Sequence, residues 1–214
     1  DGTAKTPTPT VKLNSNTLTK DTDYTVIYTN NINAGTASVI IVGKGDYAGQ
    51  ATKTFTISKE TLSTPTKVTV DDKGQISWTP VDNATSYSII LYKDSKENET
   101  KQAYGISYDF NDYISSTTTS LSGSWTFKVQ AKSTNVNYST SNLSSASSSI
   151  TVCSVSFSLS NKGIVKSGQS LPSLKNVLKG TSVALPNGEE ILTGKNTDGT
   201  TVTINTQDKA RYVY

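Results

Sequence analysis

Apolar residues along this chain recur at every second position in short runs, with turn-forming clusters between the runs. Tyr24, Val26 and Tyr28 alternate with Thr25, Ile27 and Thr29. Ala37, Val39 and Ile41 put one apolar face inward, and Thr54-Phe55-Thr56-Ile57 closes that stretch. A period of two is the mark of a strand with one buried face. Asn14-Ser15-Asn16, Asn30 to Gly35 and Gly43 to Gly49 interrupt the alternation with residues that favour turns. No helical periodicity competes between Thr10 and Ser58, so that segment is predicted to be strands throughout.

The pattern continues beyond a short linker from Lys59 to Thr66. Gln75-Ile76-Ser77-Trp78 and Ser86 to Tyr92 read as strands, with a loop at Pro80 to Thr85 between them. Lys93 to Glu99 reads as a solvated loop. Tyr104, Ile106, Tyr108 and Phe110 then alternate and predict an extra or extended strand sharing one inward face, with Tyr113 following. Trp125 to Ala131 alternates strictly, and a final strand is expected within Ser145 to Val152. Beyond Cys153, the sets Val155-Phe157-Leu159, Gly180 to Pro186 and Thr201 to Ile204 read as strands.

Composition changes this picture in two ways. The chain has 214 residues, which predicts two or three modules. Only 33% of residues are hydrophobic, but only 17% are charged, too few for a typical disordered chain. The polarity comes from Ser, Thr and Asn, which suit strand surfaces and turns. With a net charge of +3 and scattered lysines, no basic stretch interleaves with aromatics as a nucleic-acid surface would. No run is long and apolar enough to span a bilayer, so no membrane insertion is expected in this segment. The absence of methionine and of a leader-like start predicts a mature form or an excised fragment of a longer chain. Cys153 is the single cysteine, so internal disulfides are excluded and packing alone must hold the modules. Such a disulfide-free, Thr/Ser/Asn-rich chain fits the outside of a Gram-positive bacterium better than an animal ectodomain.

Two segments carry motifs specific enough to compare with known families. The first is Asp23-Tyr24-Thr25-Val26-x-Tyr28-x-Asn30-Asn31-x-x-Ala34-Gly35-Thr36-Ala37-x-Val39. It is followed by Gly43-x-Gly45-x-Tyr47-x-Gly49 and Phe55-x-Ile57. This stretch, about 8–58, resembles a bacterial immunoglobulin-like repeat of large surface proteins. The second segment, about 62–152, resembles a fibronectin type III domain. It does so through Trp78, Val81-Asp82-x-Ala84-x-x-Tyr87 and Phe127-x-Val129-x-Ala131. That family places a tyrosine two residues before the Phe127 position, where it makes a corner hydrogen bond to backbone. Trp125 stands there instead, and its indole is only a donor, so the corner must be rebuilt or absent. Residues 153–214 resemble a small β-grasp-like surface repeat through the opening strand and Gly180-Thr181-x-Val183-x-Leu185-Pro186. The Gly-Trp pair that usually ends that repeat is missing, and the stop at Tyr214 suggests a truncated module.

These resemblances imply an all-β fold of tandem immunoglobulin-like and fibronectin III-like β-sandwiches plus a small C-terminal β-rich module. The implied division is 1–60, 61–152 and 153–214. The implied role is non-catalytic: an adhesin, stalk or spacer in a bacterial cell-surface or secreted protein, as a monomeric segment of a larger chain. The alternative is a carbohydrate-binding accessory part of a secreted polysaccharide-acting protein. The partners in view are therefore a glycan or a host or surface protein.

Candidate chemistry is sparse. With no histidine and one cysteine, neither a zinc site nor a Ser-His-Asp or Cys-His arrangement can be assembled. The carboxylate pairs Asp21/Asp23, Asp71/Asp72 and Asp109/Asp112 sit in polar stretches and read better as turns than as a glycosidase pair. Gly43-x-Gly45 is not followed by a helix pattern that would complete a phosphate loop. Calcium is the one cofactor in view, through the alternate oxygens of Asn196, Asp198 and Thr200, although an Asp198-Gly199 hairpin turn is the favoured explanation of the same residues. Lys128 could donate to an internal isopeptide bond, but its alternation places it on the solvent face. The remaining ligand-contact candidates are the aromatics Tyr104, Tyr108, Phe110 and Tyr113, which could stack on sugar or anchor a protein.

Overall fold

The structure is a computed structural model that describes residues 2–159, 175–179, 182–184, 191–195, 201–205 and 211–213. Its strands begin with β1 (Lys12–Leu13), β2 (Asn16–Thr17), β3 (Tyr24–Thr29), β4 (Gly35–Gly43), β5 (Gln50–Ile57) and β6 (Glu60–Thr61). Next come β7 (Thr69–Val70), β8 (Gln75–Ser77), β9 (Ser86–Lys93), β10 (Lys96–Ala103) and β11 (Ser107–Asp109). A short helix α1 (Phe110–Ser115) precedes β12 (Gly123–Lys132), β13 (Tyr138–Ser139) and β14 (Ile150–Leu159). The rest are β15 (Lys175–Leu178), β16 (Ser182–Ala184), β17 (Ile191–Lys195), β18 (Thr201–Asn205) and β19 (Arg211–Val213). The fold is all-β, in several mainly antiparallel sheets compatible with immunoglobulin-like sandwiches.

Two compact units divide the chain. The first comprises Asp1–Ser63, Asp82–Thr85 and Lys132–Ser141. Its main sheet is β3-β4-β5, with Val26 opposite Ile41, Tyr28 opposite Val39 and Ala37 opposite Phe55. The alternation read from the sequence therefore sets one face, on which Tyr24 and Ala37 are buried and Tyr28 meets Phe55 edge-on at 6.4 Å. The Tyr28 hydroxyl donates to the Pro7 carbonyl at 2.7 Å and ties the N-terminal stretch over that face. Gly43 is required by a close approach, since a Cβ there would lie 2.7 Å from the Tyr47 carbonyl oxygen. Asn137, only 5% exposed, holds the Asn33-Ala34 turn: its Oδ1 accepts from the Ala34 N–H and its Nδ2 donates to Asn33 Oδ1.

The second unit comprises Thr64–Val81, Ser86–Ala131 and Asn142–Tyr214. One sheet is β11-β8-β7, a second runs β10-β9-β12-β14-β17-β18 with β15 also paired to β14, and β16 pairs with β19. Inward residues Ile76, Ile89, Leu91, Trp125, Phe127, Val129 and Ala131 are essentially inaccessible, and Trp78 packs on Tyr87 at 5.2 Å. The Tyr87 hydroxyl accepts from the Val81 N–H at 2.9 Å, and the Trp125 indole donates to the Leu121 carbonyl at 2.8 Å. Lys128 stays on the outer face of β12, its ammonium 5.2 Å from the Tyr92 ring centroid.

Three expectations are corrected here. Lys93 to Glu99 is not a loop: a two-residue turn at Asp94-Ser95, both at positive φ, joins β9 to β10 in a hairpin. Positive φ at both central residues matches the twist of a tight hairpin. No apolar alternation betrayed β10, because it is an edge strand with both faces largely wet. Tyr104, Ile106, Tyr108 and Phe110 do not share one inward face: Tyr104 is 80% exposed and Phe110 is 0% exposed. The run breaks at Gly105 and again at Asp109, whose carboxylate accepts from the Asn111 N–H and starts α1. The last strand, expected within Ser145 to Val152, begins at Ile150 and runs past that bound to Leu159.

Before it, Ser141, Ser144 and Ser147 are buried at intervals of three. The Ser144 and Ser147 hydroxyls accept from the Val129 and Phe127 N–H groups, while their own N–H groups donate back to the Val129 and Phe127 carbonyls. A three-residue spacing is not that of a ladder strand, whose side chains alternate by two, and residues 141–149 form no strand. β14 then runs unbroken through positions 152 and 153.

Candidate ligand-contact site

The four aromatic candidates fall on a hairpin edge, a short strand and the helix that follows it. Their roles separate there. Phe110 opens α1 and points into an aromatic cluster, with ring centroids 4.9 Å from Phe127, 5.2 Å from Trp125 and 5.9 Å from Tyr113. Tyr113, one helical turn on, meets Trp125 at 5.7 Å and is 8% exposed. Its hydroxyl reaches the wet side, donating to Asn98 Oδ1 at 2.7 Å on β10. The Lys101 ammonium lies 4.9 Å from the Tyr113 ring and pairs with Glu99 at 2.9 Å. Phe110 and Tyr113 are therefore scaffold rather than platform.

Tyr104 and Tyr108 remain at the surface. Tyr104 follows β10 and leaves nearly its whole ring in water, next to the half-exposed Ile106. Tyr108, half-buried on β11 opposite Ile76, has its phenol pKa pushed up to about 12. Burial is the main cause, and the carboxylates of Asp112, Asp109 and Glu99 add to it. The same two effects, burial first and then Glu99, raise Tyr113. Both phenols therefore remain neutral hydrogen-bond donors through the physiological range. The exposed ring of Tyr104 can stack on a polar ligand, and the Tyr108 phenol with its carboxylate neighbours can hydrogen-bond one. Sequence reasoning missed Asn98, Glu99 and Lys101, because the first two read as loop and Lys101 carried no reading. Their only signal was the opposite-charge Glu99-x-Lys101 spacing, which puts both on one face of a strand.

One carboxylate from each of the other two candidate pairs holds a turn. Asp23 Oδ2 accepts from the Thr19 N–H at 2.7 Å. Asp71 Oδ1 accepts from the N–H groups of Lys73 and Gln75 at 3.0 and 2.7 Å. Among the described residues no three His, Cys, Asp or Glu side chains come together in a way that could hold a metal ion. Asn196, Asp198 and Thr200, the calcium candidates, lie outside the described residues. Cys153 is half-buried on β14, and that burial raises its thiol pKa against a smaller opposing pull from Lys179. No helix among the described residues is long and apolar enough to cross a membrane.

Comparison with known proteins adds no relative: no family model matches the chain, and no curated protein matches it.

Proposed function

We propose that the chain is a non-catalytic modular segment of a bacterial cell-surface or secreted protein, serving as adhesin, stalk or spacer. On this reading about 8–58 is an immunoglobulin-like repeat and about 62–152 a fibronectin type III domain. The observation that carries the reading is how the chemically capable side chains are spent. Asp23, Asp71 and Asp109 hold turns or a helix cap, and Phe110 and Tyr113 fill a core. The Trp125 bond to the Leu121 carbonyl supports the second resemblance, since an indole donor here rebuilds the corner expected of a tyrosine. The test replaces this segment, within its parent chain, by unrelated sandwiches of equal length. Retained surface function supports a spacer, and loss with retained display supports an adhesin. Turnover of ester, peptide or glycoside substrates by the purified chain contradicts both.

A carbohydrate-binding role is the second reading, favoured by the 80% exposure of Tyr104 and, separately, by the carboxylates around the half-buried Tyr108. Glycan-array binding that disappears in Tyr104→Ala and Tyr108→Ala while the fold persists would establish it. Equal array signals for these variants and the parent would remove it.

A further inference from the structure

The second unit is closed by residues remote from its sandwich sequence. β15 adds to β14 as an antiparallel strand, with Val152 opposite Leu178 and Ser154 opposite Asn176, and the Lys179 N–H donates to the Thr151 carbonyl at 2.9 Å. That last bond makes 151/179 a hydrogen-bonded pair. The pairs 152/178 and 154/176 are therefore the close, non-hydrogen-bonded kind, with their side chains together on one face. Asn176 is 5% exposed and Leu178 1%.

Asn176 sits in a pocket matched to a primary amide. Its Oδ1 accepts from the Leu121 N–H at 3.0 Å and from the Ser154 hydroxyl at 2.5 Å. Its Nδ2 faces the carbonyl oxygens of Thr119 at 3.0 Å and of Ile114 and Thr117 at 3.4 Å. A backbone N–H can only donate and a carbonyl can only accept, so the orientation of the amide follows from its partners. A carboxylate in this place would face three carbonyl oxygens, and an apolar side chain would leave buried donors and acceptors unmatched. Two residues on, Leu178 fills the space beside Gly74, where a Cβ would come within 2.8 Å of its Cδ1. Backbone pairing with alternate side chains in pockets is how a sheet edge recognises an added strand.

We propose that the edge of β14 is a strand-accepting groove with a primary-amide pocket, selective for an extended segment bearing asparagine and, two residues later, leucine. Its own β15 occupies the groove in the single chain. The Lys175–Lys179 segment of a second copy is the external occupant with the same chemistry. The test uses the full chain carrying Asn176→Asp and Leu178→Asp, which withdraws its own strand, and two synthetic peptides. One peptide covers residues 173–181, and the other has aspartate at the Asn176 position. Saturable binding of the first that raises the Tm of the variant, and at least tenfold weaker binding of the second, is the expected result. A second measurement needs no weakened variant. The peptide with cysteine at the Val177 position, supplied as its 2-pyridyl disulfide, should exchange onto the Cys153 thiol of the unaltered chain in competition with its own β15, releasing pyridine-2-thione, since 153 and 177 are opposite partners. Its aspartate counterpart should not. Equal behaviour of asparagine and aspartate peptides, or binding by neither, overturns the proposal.

Discussion

The Trp125 indole donates to the Leu121 carbonyl oxygen at 2.8 Å, and both residues are buried. That bond closes the turn into β12 while the ring packs tilted against Phe110 and edge-on to Tyr113. Trp125→Phe keeps an aromatic but orphans the buried carbonyl and leaves a void. It is expected to cost about 2–4 kcal/mol in urea unfolding. A loss below about 0.5 kcal/mol, the usual range for surface changes, would mean that the bond does not shape this turn.

The serine rungs beside β12 give a sharper contrast. Ser144→Ala or Ser147→Ala removes the acceptor of a buried N–H on Val129 or Phe127, and each should cost about 1–3 kcal/mol. Ser145→Ala and Ser148→Ala, whose side chains are exposed, should stay within about 0.5 kcal/mol. Chemical denaturation of the four variants separates the pairs; uniform small effects would contradict the three-residue repeat.

Alkaline pH reads out Tyr108. Its folded pKa, about 12, lies above the ordinary value of 10.0, so the unfolded chain loses this proton first. Its contribution to stability is complete below pH 10 and is lost as pH rises toward 12. Tyr113 shifts in the same direction and adds to the same slope. Thermal melts across this range should fall less steeply in Tyr108→Phe, and an unchanged slope would count against the shift.

In the first unit, Gly43→Ala places a methyl against the Tyr47 carbonyl, which is backbone and yields little. A loss of about 1–3 kcal/mol is expected from such overpacking. Gly105→Ala, with open space around it, serves as the control and should be near neutral.

What was legible in the sequence follows from range. Tyr24 to Tyr28 and Trp125 to Ala131 declare themselves because each has one dry face, so the pattern is local. β10 has Lys, Glu, Asn and Thr on both faces and gave no signal until its hairpin partner was known. The alternation from Tyr104 to Phe110 misled, because a period of two continued by chance across a loop and into a helix capped by Asp109. The surviving surface candidates, Tyr104 and Tyr108, were in view. Their neighbours Glu99 and Asp112 come from separate elements that only the fold brings near Tyr108. The Asn176 pocket was out of reach for the same reason, since its partners lie 22 to 62 residues away.

The division of the aromatics between scaffold and surface is the central claim, and equilibrium unfolding of Phe110→Ala beside Tyr104→Ala tests it most directly. Phe110→Ala should cost about 3–5 kcal/mol as a core truncation. Tyr104→Ala should stay within about 0.5 kcal/mol as a surface change. Comparable losses for both, or a near-neutral Phe110→Ala, would contradict the account.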